Sequence, residues 1–173
     1  MQNYPLPKLT LVLGGVSSGK STFAEGLVTS TGRARFYIAT AQSFDGEMDA
    51  KIADHKTDRG PNWTTIEEPL DMGAALDQTQ TDGAILLDCA TMWLTNAMMA
   101  ELDLDVAIDG FLAAISDASA PLVIVSNELG LGGVSDNAMA RRFARAQWQL
   151  NSAIAAKADK VYLVAAGLPL EMK

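Results

Sequence analysis

Eight consecutive residues carry the clearest chemistry in this 173-residue chain: Gly14-Gly15-Val16-Ser17-Ser18-Gly19-Lys20-Ser21. Glycine, four residues, glycine, lysine and serine make a complete phosphate-binding loop pattern. An apolar, β-rich run (Leu9 to Leu13) precedes it and a helix-like run (Thr22 to Val28) follows it. That order suits the chemistry. Glycines let the backbone aim N–H groups at phosphate oxygens, and the following helix turns its positive end to the same anion. Lys20 is expected along the β- and γ-phosphates, and the Ser21 hydroxyl on Mg²⁺. A plain Gly/Ser turn between strand and helix is the competing explanation, and it leaves the Lys-Ser pair in register behind a strand unaccounted for.

Other residues fit a nucleotide or are more ordinary. Asp88 ends the run Ala84-Ile85-Leu86-Leu87, where a carboxylate holds Mg²⁺ in such proteins; helix capping is its alternative. His55 is the single histidine, with Lys51, Lys56 and Arg59 near it in sequence. A neutral imidazole is a competent nucleophile toward phosphorus, while a lone histidine on an apolar helix side also suits plain packing. Thr40 and Gln42 lie just past a strand, within reach of a base or sugar, or serve the turn. Glu67 and Glu68 suit a sugar, a guanine edge or solvent. Asn127 to Asp136 is a polar, glycine-rich stretch, a candidate second-substrate site or lid, or a simple connection. Arg141, Arg142 and Arg145 suit a phosphate, a solvated face or a subunit contact equally. Met92, Met98, Met99 and Trp148 read most simply as packing or interface residues.

The elements that must position these residues alternate. Strands are expected at Leu9–Leu13, Arg35–Ala39, Trp63–Glu67, Ala84–Asp88, Pro121–Ser126 and Lys160–Ala165. Helices are expected at Gly19–Thr29, Asp45–Thr57, Leu70–Gln78 (with Pro69 near its start), Thr91–Leu102, Val106–Ser116 and Asn137–Ala156. Short apolar strands between helices predict an α/β fold: a mostly parallel sheet with helices on both faces. The loops after Leu13, Ala39, Asp88 and Ser126 then gather on one rim, where such sheets bind ligands.

Composition narrows the function. A hydrophobic content of 49% over 173 residues suits one domain, 1–173, with a sizeable core. A formal net charge of −8 makes a general nucleic-acid binder a poor reading, because that affinity comes from cationic contacts to phosphate. Phosphate affinity must be local. One cysteine, Cys89, forms no intrachain disulfide, and Met1 to Pro7 lacks a signal-peptide core. No apolar run reaches membrane-spanning length, so a cytoplasmic protein is expected.

Several segments together resemble one family, the bifunctional adenosylcobinamide kinase / adenosylcobinamide-phosphate guanylyltransferases of cobalamin biosynthesis. They are Gly14 to Ser21, Tyr37-Ile38-Ala39-Thr40-Ala41-Gln42, Asp45-Gly46-Glu47-Met48 and Lys51-Ile52-Ala53-Asp54-His55-Lys56. Arg59, Trp63-Thr64-Thr65-Ile66-Glu67, Leu87-Asp88-Cys89, Trp93-Leu94-Thr95-Asn96, Ser126-Asn127-Glu128-Leu129-Gly130 and Ala166-Gly167-Leu168-Pro169 continue the match. The segments run in the family's order over nearly the whole chain. The loop alone is not specific to the family; the Glu-Met…Ile…His-Lys segment and the Asn-Glu-x-Gly stretch are.

The resemblance implies a RecA-like P-loop fold, a homotrimer and two reactions. One phosphorylates the aminopropanol hydroxyl of adenosylcobinamide with ATP or GTP. The other moves GMP from GTP to the resulting phosphate through a guanylylated histidine, which aligns with His55, and releases pyrophosphate. Nucleotide contacts carry over to Gly14, Gly15, Val16, Ser17, Ser18, Gly19, Lys20, Ser21, Thr40, Ala41, Gln42, Lys56, Thr57, Asp58, Arg59, Glu67 and Asp88. Ser21 and Asp88 carry over as holders of Mg²⁺, and Lys20 joins His55 as catalytic. The chain departs from the family at Val16-Ser17-Ser18, where members often carry Arg, at Thr22, and at Asp88, where some have Glu. None of these removes a reacting group. A trimer closed mainly by apolar, Met- and Trp-bearing surfaces is the expected assembly of so acidic a chain. Sedimentation at micromolar concentration should give three times the chain mass; a monomer mass would reject it.

Overall fold

The computed structural model describes residues 5–42 and 60–173, and the elements below are numbered among these. They run β1 (Leu9–Gly14), α1 (Lys20–Thr29), β2 (Arg35–Ala39), β3 (Trp63–Glu67), α2 (Met72–Leu76), β4 (Ala84–Asp88) and α3 (Ala90–Met99). Then come α4 (Leu104–Asp117), β5 (Leu122–Asn127), α5 (Ala138–Lys157), β6 (Lys160–Ala165) and β7 (Leu168–Glu171), with a short 3₁₀ turn at Gly130–Gly132. The helix expected over Asp45–Thr57 lies outside the described residues.

The strands form one sheet in the order β3-β2-β4-β5-β1-β6-β7. Every pairing is parallel except β6 with β7. Period-two alternation divides the core. Leu11, Leu13, Ile38, Ile85, Leu87 and Ile124 face one way and pack with Leu94 of α3, Ile108, Phe111 and Ile115 of α4, and Leu150 and Ile154 of α5. The Trp93 and Phe111 rings meet there at 4.5 Å. Val12, Tyr37, Leu86, Val123, Val125 and Val164 face the other way, onto Ala24 and Val28, one turn apart on α1. Strands buried on both faces explain why the sequence reads as continuous apolar runs.

Two boundaries differ from expectation for local reasons. The helix expected from Leu70 begins at Met72. The Glu68 carboxylate accepts the amides of Leu70 (3.0 Å) and Asp71 (2.9 Å), which holds that stretch extended. Asp71 then caps the helix by accepting the Ala74 amide. Past β6, the chain adds a strand. Ala166 (φ 50°) and Gly167 (φ 76°) form a two-residue turn, and β7 returns antiparallel with Ala165 opposite Leu168.

The Ile124 side chain is fully buried in the middle of the sheet. Ile124→Ala should lower stability by about 2–5 kcal/mol, seen as a lower denaturant midpoint with an unchanged slope.

Candidate nucleotide-binding site

The loop after β1 is held by close backbone contacts. A Cβ on Gly14 would lie 2.3 Å from the Ser18 Oγ and 2.7 Å from the Val164 carbonyl oxygen, so only glycine fits. Gly19 has φ 90° and leads directly into α1; a Cβ there would sit 3.0 Å from the Gly167 Cα. The Gly167 amide donates to the Ser18 carbonyl at 2.8 Å, so the β6–β7 turn braces the loop from below. On the other side the Glu128 amide donates to the Gly14 carbonyl at 3.0 Å. Gly15, Val16 and Ser17 stand exposed, and the buried Ser18 hydroxyl has no hydrogen-bond partner. A cradle of backbone amides at a helix start, with an unspent hydroxyl inside it, suits an anion. The Lys20 ammonium donates to the Gly15 carbonyl at 3.0 Å and so lies over its own loop. Ser21 is half-buried in the first turn of α1.

Parallel register sets the rest of the rim. Gly14 pairs with Asn127, and Asp88 pairs with Ala39 on one side and Val125 on the other. Asp88 is half-buried at the end of β4. Helix α3 is capped by Cys89, whose Sγ accepts the Met92 amide, which leaves the Asp88 carboxylate out of the cap. The peptide between Asp88 and Cys89 is cis. Burial pushes the Cys89 thiol up to about 12, the neighbouring Asp88 carboxylate adds to the rise, and the Lys20 charge opposes it.

Thr40 is fully buried. Its hydroxyl donates to the Cys89 carbonyl (2.8 Å) and accepts the Cys89 amide (2.9 Å), so its side chain is spent on joining β2 to the β4–α3 turn. Ala41 and Gln42 follow, half-buried, and Glu67 ends β3 exposed beside Ala39. His55, Lys56, Thr57, Asp58 and Arg59 lie outside the described residues.

Sequence reasoning gave no role to a buried polar network behind the rim. The Ser126 hydroxyl donates to the Asn151 Oδ1 (2.6 Å), and the Gln147 amide donates to both Ser126 (3.0 Å) and Asn151 (2.9 Å). Thr91 Oγ1 accepts the Asn127 amide (2.8 Å) and Asn151 donates to the Asn127 carbonyl (3.0 Å). Thus α3 and α5 fix both peptide groups of Asn127 where the polar loop departs. Asn and Gln four residues apart on the apolar side of a helix were the available signal. In that loop Leu131 and Val134 are exposed, as are Arg141, Arg142 and Arg145 beyond it. Arg141 donates to the Ser135 carbonyl. Met98 and Met99 line an open apolar recess of about 420 Å³ with Met139 and Phe143, and Trp148 is exposed on α5.

For a metal, the described residues hold no cluster of three or more His, Cys, Asp or Glu side chains that would bind one alone. A hydroxyl and one carboxylate near a phosphate cradle fit Mg²⁺, which keeps few protein ligands and leans on phosphate oxygens.

Comparison with known proteins agrees with this geometry. Residues 10–172 match the family described as cobinamide kinase / cobinamide phosphate guanyltransferase. A Pseudomonas aeruginosa protein named bifunctional adenosylcobalamin biosynthesis protein CobP is 40% identical over 94% of this chain and 96% of its own length. The bifunctional adenosylcobalamin biosynthesis protein CobU of Salmonella typhimurium is 37% identical over 95% of this chain and 99% of its own. Among solved structures, the flagellar accessory protein FlaH of Methanocaldococcus jannaschii superposes with TM-score 0.50 at 13% identity, covering 91% of this chain and 72% of that one. A solved ATPase domain gives 0.52 at 9%, covering 92% and 70%. The fold is the RecA-like P-loop fold.

Cys89 offers a probe of the rim. Its folded pKa lies above the ordinary value of 9.0. The unfolded chain therefore releases the thiol proton first, and this group's contribution to stability falls as pH rises from about 9 to about 12. At pH 8 a thiol reagent should label the native chain far more slowly than the chain in denaturant; equal rates would contradict a buried, protonated thiol.

Proposed function

This chain belongs to the cobinamide kinase / cobinamide phosphate guanyltransferase family, and from that membership we propose that it catalyses both reactions. The observation that carries the reading is the complete phosphate cradle, Gly14 to Ser21, on the same sheet edge as Asp88, which is not spent as a helix cap, in a chain 40% identical to CobP over nearly its full length. In the kinase step the aminopropanol hydroxyl of adenosylcobinamide attacks the γ-phosphorus of ATP or GTP. The O–P bond forms, the hydroxyl proton is released to solvent, the bond to the β-phosphate oxygen breaks and the nucleoside diphosphate leaves. In the transferase step a His55 ring nitrogen attacks the α-phosphorus of GTP and pyrophosphate leaves. A phosphate oxygen of adenosylcobinamide phosphate then displaces the histidine from that phosphorus, giving adenosyl-GDP-cobinamide. Two easier displacements replace one difficult one.

The chain's own groups have defined work in both. The amides of the loop and the α1 amino end hold the phosphates in place, and Lys20 neutralises charge building on the leaving group. Lys20 must leave the Gly15 carbonyl to do so, a short move within one loop. Ser21 and Asp88 would hold Mg²⁺, which supplies further charge neutralisation when bound. Ala41, Gln42 and Glu67, at the ends of β2 and β3, are our choice for nucleoside contacts, with Lys56, Thr57, Asp58 and Arg59 as further ones. The Asn127–Asp136 loop is our choice for the corrinoid side. None of the described helices is long and apolar enough to cross a membrane. We place the enzyme in the cytoplasm as a homotrimer, where both nucleotides are supplied.

Incubation with Mg²⁺ and GTP labelled at the α-phosphate should leave acid-labile, alkali-stable label on the denatured chain. γ-Labelled GTP should leave none, and His55→Ala should abolish the α-label. Bound GTP without α-label would reduce the protein to a P-loop kinase of another specificity.

A further inference from the structure

Asn96 is a polar residue on the buried side of α3, only 3% exposed. Its amide nitrogen donates to the Thr40 carbonyl at 2.7 Å and to the Pro69 carbonyl at 3.0 Å. Its Oδ1 is buried without a partner. A buried acceptor left unpaired is costly, so the site uses this amide for its two donors. One turn earlier on the same helix, Trp93 Nε1 donates to the Leu70 carbonyl at 2.8 Å. The Glu68 amide donates to the Ala39 carbonyl at 3.0 Å, so the ends of β2 and β3 are also joined to each other.

These contacts converge on the rim. Thr40 immediately precedes Ala41 and Gln42, and Pro69 follows Glu67 by two residues. The other end of α3 begins at Cys89, next to Asp88, and Thr40 grips the Cys89 peptide by both its groups. One helix therefore holds the carboxylate beside the phosphate cradle and the segments that receive the nucleoside. We infer that Asn96 is a positioning residue that fixes the Ala41–Gln42 and Glu67 segments at the spacing a guanine nucleoside requires from its phosphates. It touches no substrate and acts through Thr40 and Pro69. The inference rests on the nucleotide-site reading above.

A ligand with phosphates and no nucleoside separates the two ends of the site. Mg·GTP and inorganic tripolyphosphate with Mg²⁺ are titrated against the full chain, its Asn96→Ala variant and an Ile115→Val control that trims the core on α4. Asn96→Ala should bind Mg·GTP about tenfold more weakly while tripolyphosphate affinity stays within about twofold. In α-label turnover its KM for GTP should rise with kcat nearly kept, as expected for lost binding shared by ground and transition states. Ile115→Val should change neither ligand. Should Asn96→Ala fail to fold, Asn96→Ser, which retains a short donor, takes its place with the same expectation. Equal loss of both ligands, or loss of neither, overturns the positioning role. Failure of the unaltered protein to bind either ligand overturns the nucleotide-site reading, and the positioning role with it.

Discussion

Parallel pairing of β1 with β5 and β6 is the constraint on which the other features depend. It carries the chain out of the sheet at Gly14 on the same edge where β2, β4 and β5 end, at Ala39, Asp88 and Asn127. Adjacent strands lie about 4.8 Å apart. Asp88 and the start of the cradle, two strands apart across β5, thus stand roughly 10 Å from each other before any side chain is extended. A phosphate chain with its counter-ion is of that size. No long-range steering by side chains is needed; hydrogen bonding within the sheet has already set the separation.

On that edge the two halves of the site are built by different means. The phosphate half is backbone. Gly14, Gly19 and Gly167 let main chains approach to distances that a Cβ would forbid, and the exposed side chains of Val16 and Ser17 take no part in the loop's own bonding. Substitution at those two exposed positions is tolerable, whereas the buried Ser18 is held inside the loop. The residues proposed for the nucleoside, Ala41, Gln42 and Glu67, adjoin segments that α3 clamps from behind through Trp93 and Asn96. A chain with net charge −8 can bind a polyanion under this arrangement because the attraction is confined to one helix end, its amides and Lys20.

The sequence made much of this legible, for reasons that can be named. The cradle is local: its residues are adjacent, and their types leave few conformations. Asp88 was expected at the end of a buried strand and lies there, and the structure removes the capping alternative by giving the cap to Cys89. Thr40 was placed at the rim correctly, but its partners are 49 residues away, so sequence could not show that its hydroxyl is already committed to Cys89. The Ser126–Gln147–Asn151 network and the Asn96 contacts were hidden for the same reason. Hydrogen bonds between distant segments leave no periodic trace. The last strand was missed although Ala166-Gly167 between apolar residues is a hairpin signal.

Pro169 in β7 has a consequence of its own. Just past β7 the Met172 amide points inward, donating to the Val161 carbonyl, so by alternation the nitrogen of Pro169 faces outward, along the border of the sheet. Leu168 and Leu170 are exposed beside it and would otherwise favour templated growth. With the donor missing at its midpoint and the Lys160–Glu171 ion pair at one end, the border is a poor template for extending the ladder into a neighbouring molecule. The chain can keep greasy residues at its margin because the backbone there is a poor template for another strand.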